Sequence, residues 1–139
     1  MLDLIYTENT VIKKTDLVFK LSFLLLFTSI YALYKKQYLA GLITFSIFLT
    51  SLNYWRNPVD GSWQFYLDIS VVQMGLIVGL WKAYGSRYMV YIYSIFVIGE
   101  LFYLCGIYFK YMNNHIYSTY YHCIVHLCGN CAVWLFVSG

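Results

Sequence analysis

The feature that most constrains this chain is a series of apolar runs, each about as long as a bilayer is thick, joined by loops too short to hold anything else. Spanning ~30 Å of hydrocarbon at 1.5 Å per residue takes about 20 residues. Five such runs are predicted, at about 17–34, 38–55, 63–81, 88–109 and 116–137. Lys35-Lys36-Gln37 closes the first, and Arg56-Asn57-Pro58-Val59-Asp60-Gly61 turns between the second and third. A stretch from Lys82 to Arg87 containing Gly85, and one from Lys110 to His115 containing Asn113 and Asn114, make the other two turns. Loops this short force consecutive helices to be antiparallel neighbours and leave no room for a soluble domain between them.

The expected fold is therefore all-α: a polytopic transmembrane bundle of about five spans, forming a single domain over residues 1–139. Composition agrees, with 61% hydrophobic and 11% charged residues. A soluble domain carries about 25% charged residues. Tyr is the commonest aromatic at 16 residues, and many lie near predicted span ends, where a ring sits half in water. The net charge of +3 is too small and too scattered for a nucleic-acid surface. The expected environment is a lipid bilayer, with other membrane subunits as candidate partners and no nucleic acid. The first sixteen residues, ending Lys13-Lys14-Thr15-Asp16, are too polar to insert, and the run after them lacks a small-residue cleavage site.

Let side A be the side of the N-terminus and side B the other. Side A receives Lys13, Lys14, Lys20, Arg56 and Lys110, and side B receives Lys35, Lys36, Lys82 and Arg87. Five against four assigns no orientation by the positive-inside rule.

Polar groups inside spans cost free energy, roughly 2.5–3.5 kcal/mol for a central charge, so function is sought among them. The fifth span carries His122 and His126, which i, i+4 spacing puts on one face. Ser118 and Asn130 extend this to a polar ridge at four-residue steps. Glu100, in the fourth span, is the deepest acid. Asp68 lies about one turn below the side A boundary, where Arg56 is a candidate partner. Ser46, Thr50 and Asn53 share a face of the second span, and Gly75 and Gly79 give the third a small-xxx-small spacing for close packing. Chain order places Ser51, Asp68 and His122 in the side A half, with His126 and Glu100 nearer the midplane. These five residues are expected to converge on one cavity opening toward side A. Cys105, Cys123, Cys128 and Cys131 lie in apolar stretches and read as small hydrophobes. No second pair accompanies Cys128-x-x-Cys131.

Ser51, Asp68 and His122-x-x-x-His126 stand in an order and at depths that resemble the membrane hydrolase superfamily of alkaline ceramidases and adiponectin/progestin-type receptors. The resemblance spans about Ser51 to Asn130 and rests on these four residues. It implies a zinc site that activates water for hydrolysis of a lipid amide. Trp55 stands where that family has a further zinc-binding His, four residues after the Ser, and the family has seven spans. His115 is about 10 Å along the axis from His122 and does not replace that ligand. His122 and His126 with Glu100 or Asp68 would complete a set that zinc accepts, with Asp68 and Ser51 as the catalytic candidates.

Three functions follow as expectations. Small size, short loops and abundant aromatic surface suit a structural or assembly component of a membrane complex. The alternative is a metal-dependent lipid-amide hydrolase, or a relative that kept the scaffold and lost the metal. The third is a proton or ion conduit through Glu100, the His pair and Asp68. Haem ligation does not fit, since two His one turn apart on one helix cannot take opposite faces of one iron.

Overall fold

A computed structural model describes the backbone from Leu2 to Gly139 and the side chains from Asp16 onward. Lys13 and Lys14 fall outside the described side chains. The described residues form five α-helices: α1 (Leu2–Tyr34), α2 (Tyr38–Trp55), α3 (Trp63–Ala83), α4 (Met89–Tyr111) and α5 (His115–Ser138). Residues 38–55 match the expected second span end to end, the boundaries of α3, α4 and α5 move by at most two residues, and α1 keeps its expected end at Tyr34 but begins at Leu2, fifteen residues before the expected span. Four helices are long and apolar enough to cross a membrane: α1 from Asp16, α3, α4 and α5. Such a set is what a multi-pass membrane protein presents. The remaining helix, α2, is the shortest at 18 residues and ends in the polar run Asn53-Tyr54-Trp55.

Each connection turns on one residue in the left-handed region: Lys36 (φ 60°), Gly61 (φ 71°), Gly85 (φ 74°) and Asn113 (φ 57°). Gly adopts this conformation without penalty and Asn tolerates it. Lys36 has neither advantage. The helices beyond two of the turns are capped from the side chain. Ser62 Oγ accepts from the Phe65 amide of α3 at 3.3 Å, and Asn114 Oδ1 accepts from the Tyr117 amide of α5 at 3.4 Å.

Inside a bilayer apolar burial does not drive helices together, so close approach of small residues and hydrogen bonds must. The buried positions show this. On α1 they include Val18, Ser22, Leu25, Ser29 and Ala32, at alternating steps of four and three. On α2 they include Gly41, Thr44, Phe48 and Ser51. On α4 they are Ile92, Gly99 and Gly106, seven apart. This is the heptad spacing of left-handed helix packing, built largely from Gly, Ser, Thr and Ala.

The helices close into a ring. Against α1, α2 runs antiparallel, with Phe23 on Phe48 (5.6 Å between centroids), and a Cβ on Gly41 would meet Leu33 Cγ at 2.7 Å. Ser29 Oγ donates to the Gly41 carbonyl at 2.8 Å across this interface. Next, α3 packs on α2, where a Gly75 Cβ would lie 2.9 Å from Ile47 Cδ1 and 3.0 Å from Ile43 Cγ2. The contact between α3 and α4 is the sparsest of the five. It is held by Tyr93 Oη donating to the Leu80 carbonyl at 3.0 Å and by Phe96 against Gly79. The most extensive interface is that of α4 with α5, where Gly99 faces Cys128 and Gly106 faces Ser118 and Tyr121. The ring then closes through α1 and α5. With five helices, one neighbouring pair must be parallel, and this is that pair. Thr28 Oγ1 donates to Asn130 Oδ1 at 2.5 Å and accepts from Trp134 Nε1 at 3.1 Å, and Tyr31 stacks on Trp134 at 4.4 Å.

Candidate functional site

The His face of α5 points into the ring. A cavity of about 230 Å³ lies between the helices, and His122, His126, Glu100 and Tyr103 are on its wall. From Ile69 to Lys82 it follows α3 over fourteen residues, about 20 Å. Most of that length is apolar, with Gln37 and Lys82 at its side B end. The cavity therefore extends from the His pair toward side B, where the sequence reading had it opening toward side A.

The five candidate residues divide into two groups. His122, His126 and Glu100 share the cavity wall. Ser51 and Asp68 are not on it. Asp68 is 6% exposed, and its Oδ1 accepts from Ser51 Oγ at 2.7 Å and from Thr50 Oγ1 at 2.9 Å. This clasp ties the start of α3 to the end of α2. Arg56, the expected partner, does not appear there. The ion pairs among the described residues are Lys20–Asp16 and Lys110–Asp60. Asp60 also accepts from Tyr54 Oη at 3.2 Å, so the α2–α3 loop is tied to the end of α4 on side A.

Trp55 sits against the pair. Its ring centroid is 4.7 Å from that of His122, tilted by 52°, and the two imidazoles are 5.2 Å apart. Position 55 thus faces the His pair and brings an indole to it. Tyr103 flanks His122 from α4 at 6.4 Å. Trp55 Nε1 and His126 Nδ1 are buried and find no hydrogen-bond partner among the described residues. Nor do three His, Cys, Asp or Glu side chains come close enough to hold a metal ion among those residues. All four cysteines are free thiols, and Cys131 of the C-x-x-C pair is exposed.

The polar ridge of α5 does not stay on one face. Four residues advance a helix by about 40° beyond a full turn, so Ser118 to Asn130 turns through about 120°. Ser118 accordingly faces Gly106 of α4, the His pair faces the cavity, and Asn130 faces Thr28 of α1 while its amide donates to the His126 carbonyl at 2.8 Å.

One residue of the cavity wall, Tyr103, lies outside the sequence candidates, and so does Thr28 of the α1–α5 contact. Tyr103 is one turn after Glu100 on the same face, a spacing that links them. Thr28 had a weaker signal, the run of small hydroxyl residues Ser22, Thr28 and Ser29 on α1. Comparison with protein-family models, with curated proteins and with solved structures gives no match.

Proposed function

We propose that this chain crosses the membrane five times and serves as a structural or assembly component of a membrane complex. The fifth crossing is α2. It is about 27 Å long, it runs antiparallel along α1 from Gly41 to Phe48, and it reaches Asp68 of α3 through Ser51. The observation that carries the assembly reading is the Thr50–Ser51–Asp68 clasp. The two residues best placed by chain order for catalysis spend their polar groups on each other.

Mild extraction of a tagged chain followed by native mass spectrometry tests this reading. A stoichiometric partner is expected, and His122→Ala and His126→Ala are expected to change thermal stability and not partner recovery. A monodisperse, partner-free species from the native membrane would overturn it.

A second reading rests on a different observation: His122, His126 and Glu100 line one cavity. A modest movement of these side chains toward each other would give two nitrogens and a carboxylate, a set zinc accepts with one position left for water. Asp68 and Ser51 would then position α3 and α2 without touching the metal. Metal analysis decides it. Stoichiometric zinc that disappears in the His122→Ala, His126→Ala double variant supports it, and zinc at background in both proteins sinks it.

A further inference from the structure

His126 is 9% exposed, and its Nδ1 has no hydrogen-bond partner among the described residues. Leaving a buried polar atom unpaired costs about 1–3 kcal/mol. Such an atom is satisfied by water or by a ligand where there is room for one. There is none at Nδ1, which is sealed within the fold; the ring meets the central cavity through its other atoms, so a ligand reaches His126 at the Nε2 edge. His122, Glu100 and Tyr103 stand at the same end, and a mostly apolar channel runs from them toward Lys82. The chamber has a polar head and an apolar stem.

We infer that the cavity binds an uncharged, single-chain lipophile with a carbonyl head. The carbonyl accepts a hydrogen bond from the His126 imidazole, and the chain lies along α3 toward side B. Prenyl quinones and monoacylglycerols share this chemistry.

Three features select it. An imidazole N–H donates to a carbonyl. The carboxyl group of Glu100 shares the head region and brings no positive charge to it, while Lys82 lies at the opposite end of the cavity, so a carboxylate or phosphate head at the His end would be stripped of water without compensation. The stem runs about 20 Å along α3 with apolar side chains such as Ile43, Ile47 and Phe96 on its walls, a length that a single extended chain can follow. The inference is independent of the assembly reading, and it competes with the metal reading for the same imidazole.

The purified protein in detergent is titrated with decylubiquinone while tryptophan emission is followed. Trp55 lies beside His122 and serves as the reporter. Saturable quenching is expected, lost in Trp55→Phe, unchanged by EDTA, weakened about tenfold in His126→Leu and largely retained in His126→Gln. Melting curves confirm that each variant is folded. A monoacylglycerol, monoolein, is expected to displace the quinone, whereas oleate and cholesterol are not. If monoolein raises the melting temperature and the quinone does not quench, the acylglycerol is the natural source of the carbonyl. Quenching that rises linearly without saturation, accompanied by no stabilisation from monoolein, overturns the inference. So does equal affinity in wild type and His126→Leu. Displacement by oleate as effective as by monoolein overturns the assignment of an uncharged head, and loss of binding in EDTA assigns the site to a metal instead.

Discussion

The indole of Trp55, the last residue of α2, packs 4.7 Å from the imidazole of His122 on α5. Whatever chemistry the pair performs is therefore bounded on that side by an apolar ring.

Trp55→His brings a third imidazole to this position. Cobalt and zinc uptake by the purified variant are expected to exceed those of wild type, read as a visible d–d absorption band for cobalt and as bound zinc by elemental analysis. Three nitrogen ligands with one open position is a known catalytic zinc arrangement. Trp55→Phe, which adds no ligand, is the control. Equal metal content in all three proteins would show that position 55 does not reach the pair closely enough to coordinate with it.

The Asp68 clasp is a stability element. Asp68→Ala removes the acceptor of the buried Ser51 hydroxyl and of the half-buried Thr50 hydroxyl, and is expected to destabilise the fold by about 1–3 kcal/mol. Asp68→Asn keeps an acceptor and should cost less. In a double-mutant cycle, Ser51→Ala and Asp68→Ala are expected to be non-additive, because they share one bond. Additive losses in denaturant unfolding would mean the bond contributes nothing.

Closure of the ring depends on Thr28. Thr28→Val keeps the shape and cuts the bonds to Asn130 and Trp134. Interhelical hydrogen bonds in membrane proteins average about 0.6 kcal/mol, so a loss of about 1 kcal/mol is expected. Unfolding in SDS mixed micelles measures it, and Trp134 emission should shift as the α1–α5 contact loosens.

The glycines separate into tight and open positions. A Cβ at Gly41 would lie 2.6 Å from Leu33 Cδ2 and 3.3 Å from the Leu33 backbone nitrogen, so Gly41→Ala forces α1 and α2 apart. Overpacking of this kind costs about 1–3 kcal/mol. Gly129, with nothing within 4 Å of its Cβ position, should tolerate Ala and gain up to about 1 kcal/mol in helix propensity. The melting temperatures of the two variants should move in opposite directions.

At the α1–α2 turn, Lys36 holds a left-handed conformation at φ 60°. That geometry costs a non-glycine residue roughly 1–2 kcal/mol. Lys36→Gly is expected to stabilise by somewhat less, because glycine also gains freedom in the unfolded chain. A lower melting temperature for Lys36→Gly would contradict the strain.

Hydropathy and loop length are local properties, and whatever depends only on them could be read directly from the chain. Five helices, their order and their antiparallel sequence followed, and α2 has the expected bounds. The common depth of Ser51 and Asp68 followed as well, because both sit next to one short turn, and they are in fact bonded. The Gly61 and Gly85 turns carried an explicit signal, while Lys36 did not, since nothing in a lysine announces a left-handed backbone. Which residues meet across the ring is a different kind of fact. It depends on how each helix is rotated about its axis, and rotation is set by small-residue packing summed over several neighbours. A 40° drift per four residues was enough to carry Asn130 away from the His pair and onto α1. The parallel closure of α1 on α5, the indole against His122 and the direction of the cavity all rest on contacts between residues far apart in the chain. Only the assembled bundle fixes them.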